Sequence, residues 1–454
     1  MKTKKTTTKD MTQGSIFWHL FAFTLPLMFG NLFQLLYNTV DSIVVGNFVS
    51  TQALAAVGAT TYVVNIAVIF FNGFSTGVGV VISRYFGGKD SDGVRKAVHT
   101  AVSMTLILGV ILTLLGIFGA DQILVLMSTP EDVMDDASTY LRIYFIGITG
   151  LMIYNMGSGI LRAVGDSVRP LAFLIITSLL NIAFDLIFVL EFGLGIAGVA
   201  YATILSEFIS AGLVLLLLTR SKEIYRLEWK KLGITHKIMS EIWAISLPTA
   251  FQSILSNVSN IFVQSYINFF GADCIAGWGC YTKLDQFSML PLQSIGMAAS
   301  AFVGQNVGAG DEKRVERGTA VSIGMAAGIT AVITSMMVIF ANPAVRMFTA
   351  DPNVIRFGVL FVQMNMLFNV VNGVNHTVAG CLRGRGDAVG PMAILLFSFV
   401  LVRQIYLFVV SRFIANTPAL IGFGYPVGWV VSFVLVLTYY WVRYKKPKLP
   451  PKTA

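Results

Sequence analysis

The chain has 454 residues, of which 55% are hydrophobic and only 12% are charged, and its mean hydropathy is +0.74. A soluble protein of this length would carry about twice that charged fraction, so a large soluble core is excluded and a polytopic membrane protein is predicted. The net charge of +9 does not indicate nucleic-acid binding, because the basic residues fall in short loops and tails. Three scattered cysteines argue against a disulfide framework.

Twelve apolar segments are long enough to cross a bilayer as helices, which makes an all-α membrane protein the predicted fold class. In chain order the predicted spans are 15–46, 52–82, 94–118, 133–161, 168–190, 196–219, 238–270, 275–303, 315–341, 354–381, 388–412 and 424–443. The first apolar run lacks a small-residue cleavage site, so it is predicted to be a span and not a signal peptide.

The loop charges predict the orientation of these spans. Of the 32 Lys and Arg residues, 26 fall in the two tails and in the loops that follow even-numbered spans, and four fall in the other loops. Basic residues concentrate on the cytoplasmic side of membrane proteins. Both termini are therefore predicted to be cytoplasmic, in a multi-pass protein of the plasma (inner) membrane.

The chain also repeats itself at an offset of about 221 residues. The block "GILRAVGDSVRP" at 159–170 aligns without a gap to "GCLRGRGDAVGP" at 380–391, and two further blocks match at nearly the same offset. Each repeat holds six predicted spans, so the copies are parallel, as in transporters built of two lobes. We predict an N-terminal lobe at 1–221 and a C-terminal lobe at 222–454, joined by a basic cytoplasmic linker at 219–237.

No enzyme is predicted from the motifs. The chain has no G-x-x-x-x-G-K-[ST] sequence for an ATP motor and no nucleophile–base pair at meaningful spacing. No cofactor is expected. Transport would have to use an ion gradient or be passive.

Charged residues inside spans are costly in hydrocarbon and usually face a cavity or a partner. In the first lobe, Asp41, Asp185 and Thr203 are expected about 8–12 Å below the outer ends of their spans at 1.5 Å per residue, and Asn181 precedes Asp185 by one helical turn. This oxygen-rich set suits a hard cation such as sodium. It equally suits a proton, because two nearby carboxylates raise at least one pKa.

Other polar residues within spans leave two interpretations open. Glu207 could extend the first-lobe network, whereas a structural role is expected for Lys283, Asp285 and Arg403, with Arg403 as a partner for Asp285. The amides of the second lobe, among them a stripe at Asn365, Asn369 and Asn372, could line a cavity or hold helices together. The residues predicted to line a substrate cavity are Gln34, Tyr37, Asn38, Gln252, Asn257, Asn369 and Asn372.

Taken together, the sequence resembles the MATE family (multidrug and toxic compound extrusion), particularly its DinF-like branch. The features that carry the resemblance are the twelve spans, the two six-span lobes, the "LP" in spans one and seven and the duplicated "LRxxGD" blocks at 161–166 and 382–387. Asp41, Asn181, Asp185 and Thr203 match the first-lobe cation site of prokaryotic members.

The resemblance implies a proton- or sodium-coupled antiporter that exports amphipathic, often cationic organic compounds by alternating access between two lobes. It also implies that the first helix bends at Pro26, since a proline inside a helix removes a backbone bond. The sequence departs from other branches in having no acid in span ten and none in span seven beyond Glu241 at its start, so cation coupling is expected in the first lobe alone. The protein is expected to function as a monomer in the lipid bilayer.

Two other functions remain open at this point. A lipid-linked or polysaccharide flippase of the same superfamily would have a strongly cationic cavity, whereas only Lys283 and Arg403 are counted as intramembrane bases, well inside spans. A channel or receptor is disfavoured by the two-lobe repeat.

Overall fold

The structure, a computed structural model, describes residues 9–445 apart from the side chains of Tyr37, Asn38, Asp41, Ser42, Ile43, Thr51, Leu54 and Lys445. Within that range every regular element is helical. The first nine long helices are α1 (Ile16–Phe48), α2 (Thr51–Gly87), α3 (Ser91–Leu126), α4 (Glu131–Ala163), α5 (Val168–Leu186), α6 (Gly195–Arg220), α7 (His236–Asn268), α8 (Ala272–Gly308) and α9 (Glu312–Ile339).

The last three long helices are α10 (Pro352–Gly384), α11 (Val389–Ile414) and α12 (Pro418–Tyr444). A 3₁₀ turn at Met366–Phe368 interrupts α10, and π-helical turns at Phe397–Val402 and Val410–Ile414 interrupt α11. A π-helical turn at Ile187–Glu191 extends α5, and a short helix at Ala341–Arg346 follows α9. The predicted boundaries thus lie within eight residues of the observed helix ends, and the largest difference is at the end of α3 (predicted 118, observed Leu126).

Several helix starts follow directly from the local sequence. The Ser50 side chain accepts a hydrogen bond from the Ala53 N–H at 3.0 Å, and Asp90 accepts one from the Gly93 N–H at 2.9 Å. At α10 and α12, Asp351 and Thr417 cap helices whose first residue is proline. These side chains satisfy N–H groups that have no partner within the first turn of a helix.

Eleven of the helices in the described part of the chain are long and apolar enough to cross a membrane. The helix outside this set is α7, which has 33 residues but carries several Ser, Asn and Gln side chains. Large apolar side chains are widely exposed, such as Phe118 at 75% and Leu126 at 84%. Such broad apolar exposure is expected where lipid, not water, surrounds the helices.

The chain divides into two compact units by packing. The first unit extends to Ala250 and also includes Gly304–Glu312, and the second comprises Phe251–Val303 and the residues from Lys313 onward. The sequence lobes at 1–221 and 222–454 describe the repeat and stay a prediction. The packing units differ from those lobes because α7 and the end of α8 pack in part with the first helices.

In the first unit, α4 packs against α2, α3 and α6, and α5 packs against α1 and α6. The buried side chains of α4 include Leu141, Ile148 and Met152. In the second unit, an aromatic cluster joins α8, α10 and α12, with the Trp278 ring 4.8 Å from that of Phe361 and 5.5 Å from that of Tyr425. Each unit therefore has a core of its own.

The end of α8 is held inside the first unit by a close backbone contact with the end of α2. A Cβ atom at Gly87 would lie 1.8 Å from the carbonyl oxygen of Gln305, and one at Gly308 would lie 1.9 Å from that of Arg84. Gly87 and Arg84 correspond to Gly308 and Gln305 at the offset of the repeat. The contact is therefore reciprocal: the glycine of each repeat packs against the carbonyl group at the equivalent position of the other repeat.

The Gln305 side chain strengthens this contact. It is fully buried, donates to the Ala163 carbonyl at 2.8 Å and accepts from the Met11 N–H at 2.9 Å. A buried amide whose donor and acceptor are both satisfied fixes the position of the segments that it joins.

Candidate cation-coupling and substrate sites

Three of the four residues predicted to bind the coupling cation lie buried in the first unit. Asp185 and Asn181 on α5 are 0% and 1% exposed, and Thr203 on α6 is 4% exposed. The Thr203 hydroxyl donates to the Val199 carbonyl of its own helix at 3.1 Å, and a hydroxyl that donates can also accept or bind a cation through its oxygen. The two helices pack against each other, so a buried carboxylate, a buried amide and a buried hydroxyl lie on two adjacent helices.

The fourth residue, Asp41, lies on α1. Its side chain lies outside the described residues, as do the side chains of Tyr37 and Asn38. The helix that carries them packs against α5 and α6. Glu207, one turn beyond Thr203 on α6, is half-buried. The roles of all these residues stay predictions.

Pro26 lies inside α1, as predicted, and it is half-buried. Because proline has no N–H, the helix lacks the bond to the Ala22 carbonyl at this point. Gln34, two turns later, is exposed. The first helix therefore has a built-in weak point at the position where the sequence predicts bending.

In the second unit, Asp285 on α8 is held by Asn369 on α10. The Asn369 amide donates to the Asp285 carboxylate at 2.6 Å and to the Ser288 hydroxyl at 2.8 Å, and that hydroxyl contacts the same carboxylate at 3.2 Å. Asn369 is fully buried. This cluster joins two helices through hydrogen bonds to a charged group, which are stronger than those between neutral groups.

The other candidates for a substrate cavity differ in exposure. Asn372 is 1% exposed and its amide contacts the Met289 sulfur at 3.7 Å, so it also bridges α10 and α8. Gln252 is 7% exposed. Asn257 is exposed and donates to the Ser253 carbonyl of its own helix at 2.9 Å. These contacts favour helix packing for the Asn369 and Asn372 amides over a cavity lining.

The expected pairing of Arg403 with Asp285 is wrong. Arg403, 2% exposed, places its guanidinium 4.8 Å from the centre of the Tyr425 ring, and within the described residues it forms no ion pair. Lys283 is exposed, with its ammonium 5.5 Å from the Phe348 ring. Both bases therefore lie against aromatic rings, which attract cations through the negative face of the π system.

Sequence reasoning missed Ser288, Tyr425 and Gln305 because each is uncharged. One available signal was the repeat itself: Gln305 corresponds to Arg84, and both lie in the aligned blocks "SRYFGGKD" and "GQNVGAGD". A polar residue at that position in both copies could have indicated a shared structural contact.

Comparison with known proteins identifies the family to which the chain belongs. The MatE family profile matches residues 26–187 and again residues 248–409, so each repeat matches it once. The starts of the two matches are separated by nearly the offset that the sequence blocks predict. The predicted resemblance to the MATE family is thereby confirmed.

Similar proteins agree over almost the whole chain. The chain is 30% identical over 446 residues to "Probable multidrug resistance protein YpnP" of Bacillus subtilis (strain 168), covering 97% of this chain and 98% of that protein. It is 27% identical to "Probable multidrug resistance protein NorM" of Thermotoga maritima, covering 87% and 85% of the two chains.

Solved structures share the fold. The outward-facing conformation of a multidrug resistance MATE family transporter superposes with a TM-score of 0.91 at 21% identity, over 97% of this chain and 99% of that one. A MOP superfamily transporter from Pyrococcus furiosus, described as having a binding pocket of reverse polarity, superposes with a TM-score of 0.90 at 21% identity, over 98% and 99%. The chain is a member of the MatE family of multi-pass membrane transporters.

Proposed function

We propose that this transporter exports amphipathic, often cationic organic compounds by alternating access, in exchange for protons or sodium ions that bind in the first lobe. The observation that carries the proposal is Asp185, a carboxylate with 0% exposure in a membrane-embedded helix. Burial of an ionised carboxylate is costly, and hydrogen bonds, a bound cation or a bound proton can offset that cost. We therefore place the coupling ion at Asp185.

The neighbouring groups support this role. Asn181 on α5 and Thr203 on α6 add a buried amide and a buried hydroxyl on two helices that pack together, and carboxylate, amide and hydroxyl oxygens are ligands that hard cations accept. Asp41 on α1, as the second carboxylate, would lie on a helix that packs against α5 and α6. Binding at this set would then bias the position of α1, whose weak point is Pro26.

The substrate class rests on the names of the relatives, which are multidrug resistance proteins. Export from the cell requires the predicted topology, with both termini in the cytoplasm and the protein in the plasma membrane. No nucleic-acid partner is proposed, and a single chain holds both repeats, which supports function as a monomer.

The proposal is tested by loading purified protein into vesicles and imposing a sodium gradient or a proton gradient separately. Uptake of a fluorescent organic cation such as ethidium is then compared between wild type, Asp185→Asn and Asp41→Asn. We expect gradient-driven transport to fall roughly tenfold or more in both variants, because an amide cannot bind the coupling proton and lacks the negative charge that balances a sodium ion.

A matched control is Asp132→Asn, which neutralises an exposed acid in the first turn of α4. This variant should transport like wild type. Undiminished gradient-driven transport in both Asp185→Asn and Asp41→Asn would contradict the proposed coupling site. A wild-type protein that moves lipid-linked sugars across the vesicle membrane but no organic cation under either gradient would instead support the flippase alternative.

A further inference from the structure

The second unit contains a cavity that plays no part in the proposed coupling site. It has a volume of about 490 Å³ and lies where α10 turns into α11 beside the end of α12. Its polar walls are formed by two bases, one acid and two tyrosines: Arg385, Arg443, Asp387, Tyr439 and Tyr444. The walls therefore carry an excess of positive charge.

This cavity arises where the two copies of the repeat have diverged. In the first copy, the Asp166 carboxylate accepts hydrogen bonds from the Val168 and Arg169 N–H groups and pairs with the Arg169 guanidinium. At the position that corresponds to Arg169, the second copy has Gly390. The guanidinium that neutralises the acid in the first copy is therefore absent from the second.

Tyr439 occupies the place that Gly390 leaves open. A Cβ atom at Gly390 would lie 2.6 Å from the Tyr439 hydroxyl, so only glycine permits this approach. The Tyr439 hydroxyl donates to the Asp387 carboxylate at 2.6 Å, and the Gly390 N–H donates to it at 3.0 Å. Asp387 is thus held by neutral donors, and no ion pair joins it in the part of the chain that the structure describes.

The two arginines of the cavity are arranged differently. The Arg385 guanidinium lies over the Tyr444 ring, with its central carbon 4.4 Å from the ring centre, and this cation–π contact restrains its orientation. Arg443 is exposed, and within residues 9–445 it forms no ion pair. A planar, pre-oriented guanidinium beside a second one is the arrangement that binds a phosphate group.

The surroundings of the cavity are those of a membrane interface. Val389 lines the cavity and is 57% exposed. Trp441 and Val442 lie between the lining residues Tyr439 and Arg443 along α12 and are 54% and 51% exposed. Tryptophan concentrates at the boundary between hydrocarbon and head groups. The loop charges predict that this end of the helices is cytoplasmic, where the membrane surface is rich in anionic lipid.

We propose that this cavity binds the phosphate head group of an anionic phospholipid of the cytoplasmic leaflet. Arg385 and Arg443 donate to the phosphate, and the exposed apolar side chains of Val389, Trp441 and Val442 contact the acyl chains. The site belongs to the second copy alone, because Arg169 fills the corresponding position in the first.

The test is lipid retention by the full-length protein. Protein is equilibrated with mixed micelles of phosphatidylglycerol and phosphatidylcholine, and bound lipid is measured by native mass spectrometry. Wild type should retain phosphatidylglycerol in preference to phosphatidylcholine. The double variant Arg385→Gln/Arg443→Gln should retain roughly tenfold less phosphatidylglycerol, because each base near an anionic surface contributes measurably to binding.

The matched control removes two exposed bases of the linker, Arg226→Gln/Lys230→Gln, and it should retain as much lipid as wild type. Thermal unfolding checks that the variants are folded. If the double variant is not folded, the lipid retention of the single variant Arg443→Gln tests the proposal, since the Arg443 side chain is exposed. Equal phosphatidylglycerol retention by the cavity variants and wild type would overturn the proposal. Displacement of the lipid by millimolar inorganic phosphate would also overturn it, because the site would then bind a small anion.

Discussion

At the level of single residues, the buried amides of the second unit illustrate what a sequence pattern leaves open. The spacing of Asn365, Asn369 and Asn372 predicts a polar stripe, and all three are indeed buried. The spacing does not predict which residue Asn369 contacts, because its partner Asp285 is 84 residues away along the chain. Whether the amides face a cavity or another helix depends on tertiary packing, which the spacing does not contain.

The Asn369 contact leads to a test of stability. Asn369→Ala removes the donor to both Asp285 and Ser288 and leaves a half-buried carboxylate with one hydrogen bond fewer. We expect a loss of about 1–3 kcal/mol in the free energy of unfolding. Asn257→Ala is the matched control, because the exposed Asn257 amide bonds only within its own helix, and it should change stability by less than about 0.5 kcal/mol.

Both variants can be compared by reversible unfolding in mixed micelles. Equal stability of the two would show that the contact between Asn369 and Asp285 contributes nothing to holding α8 against α10.

The partner of Arg403 could not be predicted from charges. A search among ionisable residues offers Asp285, yet the guanidinium lies over Tyr425. Aromatic rings are abundant in this chain, so their sequence positions carry little information about which one a cation contacts.

At the level of helices, the spans were predictable to within eight residues at each end, because long apolar runs have few alternatives in a membrane. The interruptions were not predictable. The 3₁₀ turn at Met366–Phe368 and the π-helical turns of α11 contain no proline or glycine. They follow from how neighbouring side chains pack, for which a single sequence has no local signal.

Pro26 offers a test at this level. Pro26→Ala restores the backbone bond to the Ala22 carbonyl and should straighten and stiffen α1, since proline in a helix interior costs about 3 kcal/mol relative to alanine. We expect slower gradient-driven transport in vesicles and slower amide hydrogen exchange around residue 26.

The comparison for that experiment is Pro248→Ala, which removes the proline inside α7. If bending of α1 drives the cycle, Pro248→Ala should retain more transport than Pro26→Ala. Normal transport by Pro26→Ala would rule out helix bending as a required step.

At the level of the whole molecule, the repeat was readable from the sequence, but the division by packing was not. Aligned blocks such as 159–170 and 380–391 establish the duplication. They do not show that Gly304–Glu312, from the second half of the chain, packs with the first unit. That arrangement depends on a close contact between two backbones. In the sequence, such a contact is visible only as small residues at the positions where the backbones meet.

Glycine-to-alanine substitutions test this contact, because the close approach predicts a loss of stability where an open position predicts a gain. Gly87→Ala and Gly308→Ala each force a methyl group against a carbonyl oxygen, and we expect each to lower the free energy of unfolding by about 1–3 kcal/mol. Gly324→Ala in α9 has nothing within 4 Å of the added carbon. It should raise stability by about 0.5–1 kcal/mol, because alanine loses less backbone entropy than glycine in a helix. Stabilisation by Gly87→Ala in thermal unfolding would contradict the close approach.

The same contact has a consequence for the origin of the chain. Gly87 meets the carbonyl of Gln305 while Gly308 meets that of Arg84, so each copy of the repeat supplies both a glycine and a carbonyl. Two identical subunits related by a twofold axis form contacts of this reciprocal kind. The joint between α2 and α8 therefore has the form of a homodimer interface preserved within one polypeptide. A six-helix ancestor ending near the present linker would already have carried both halves of it.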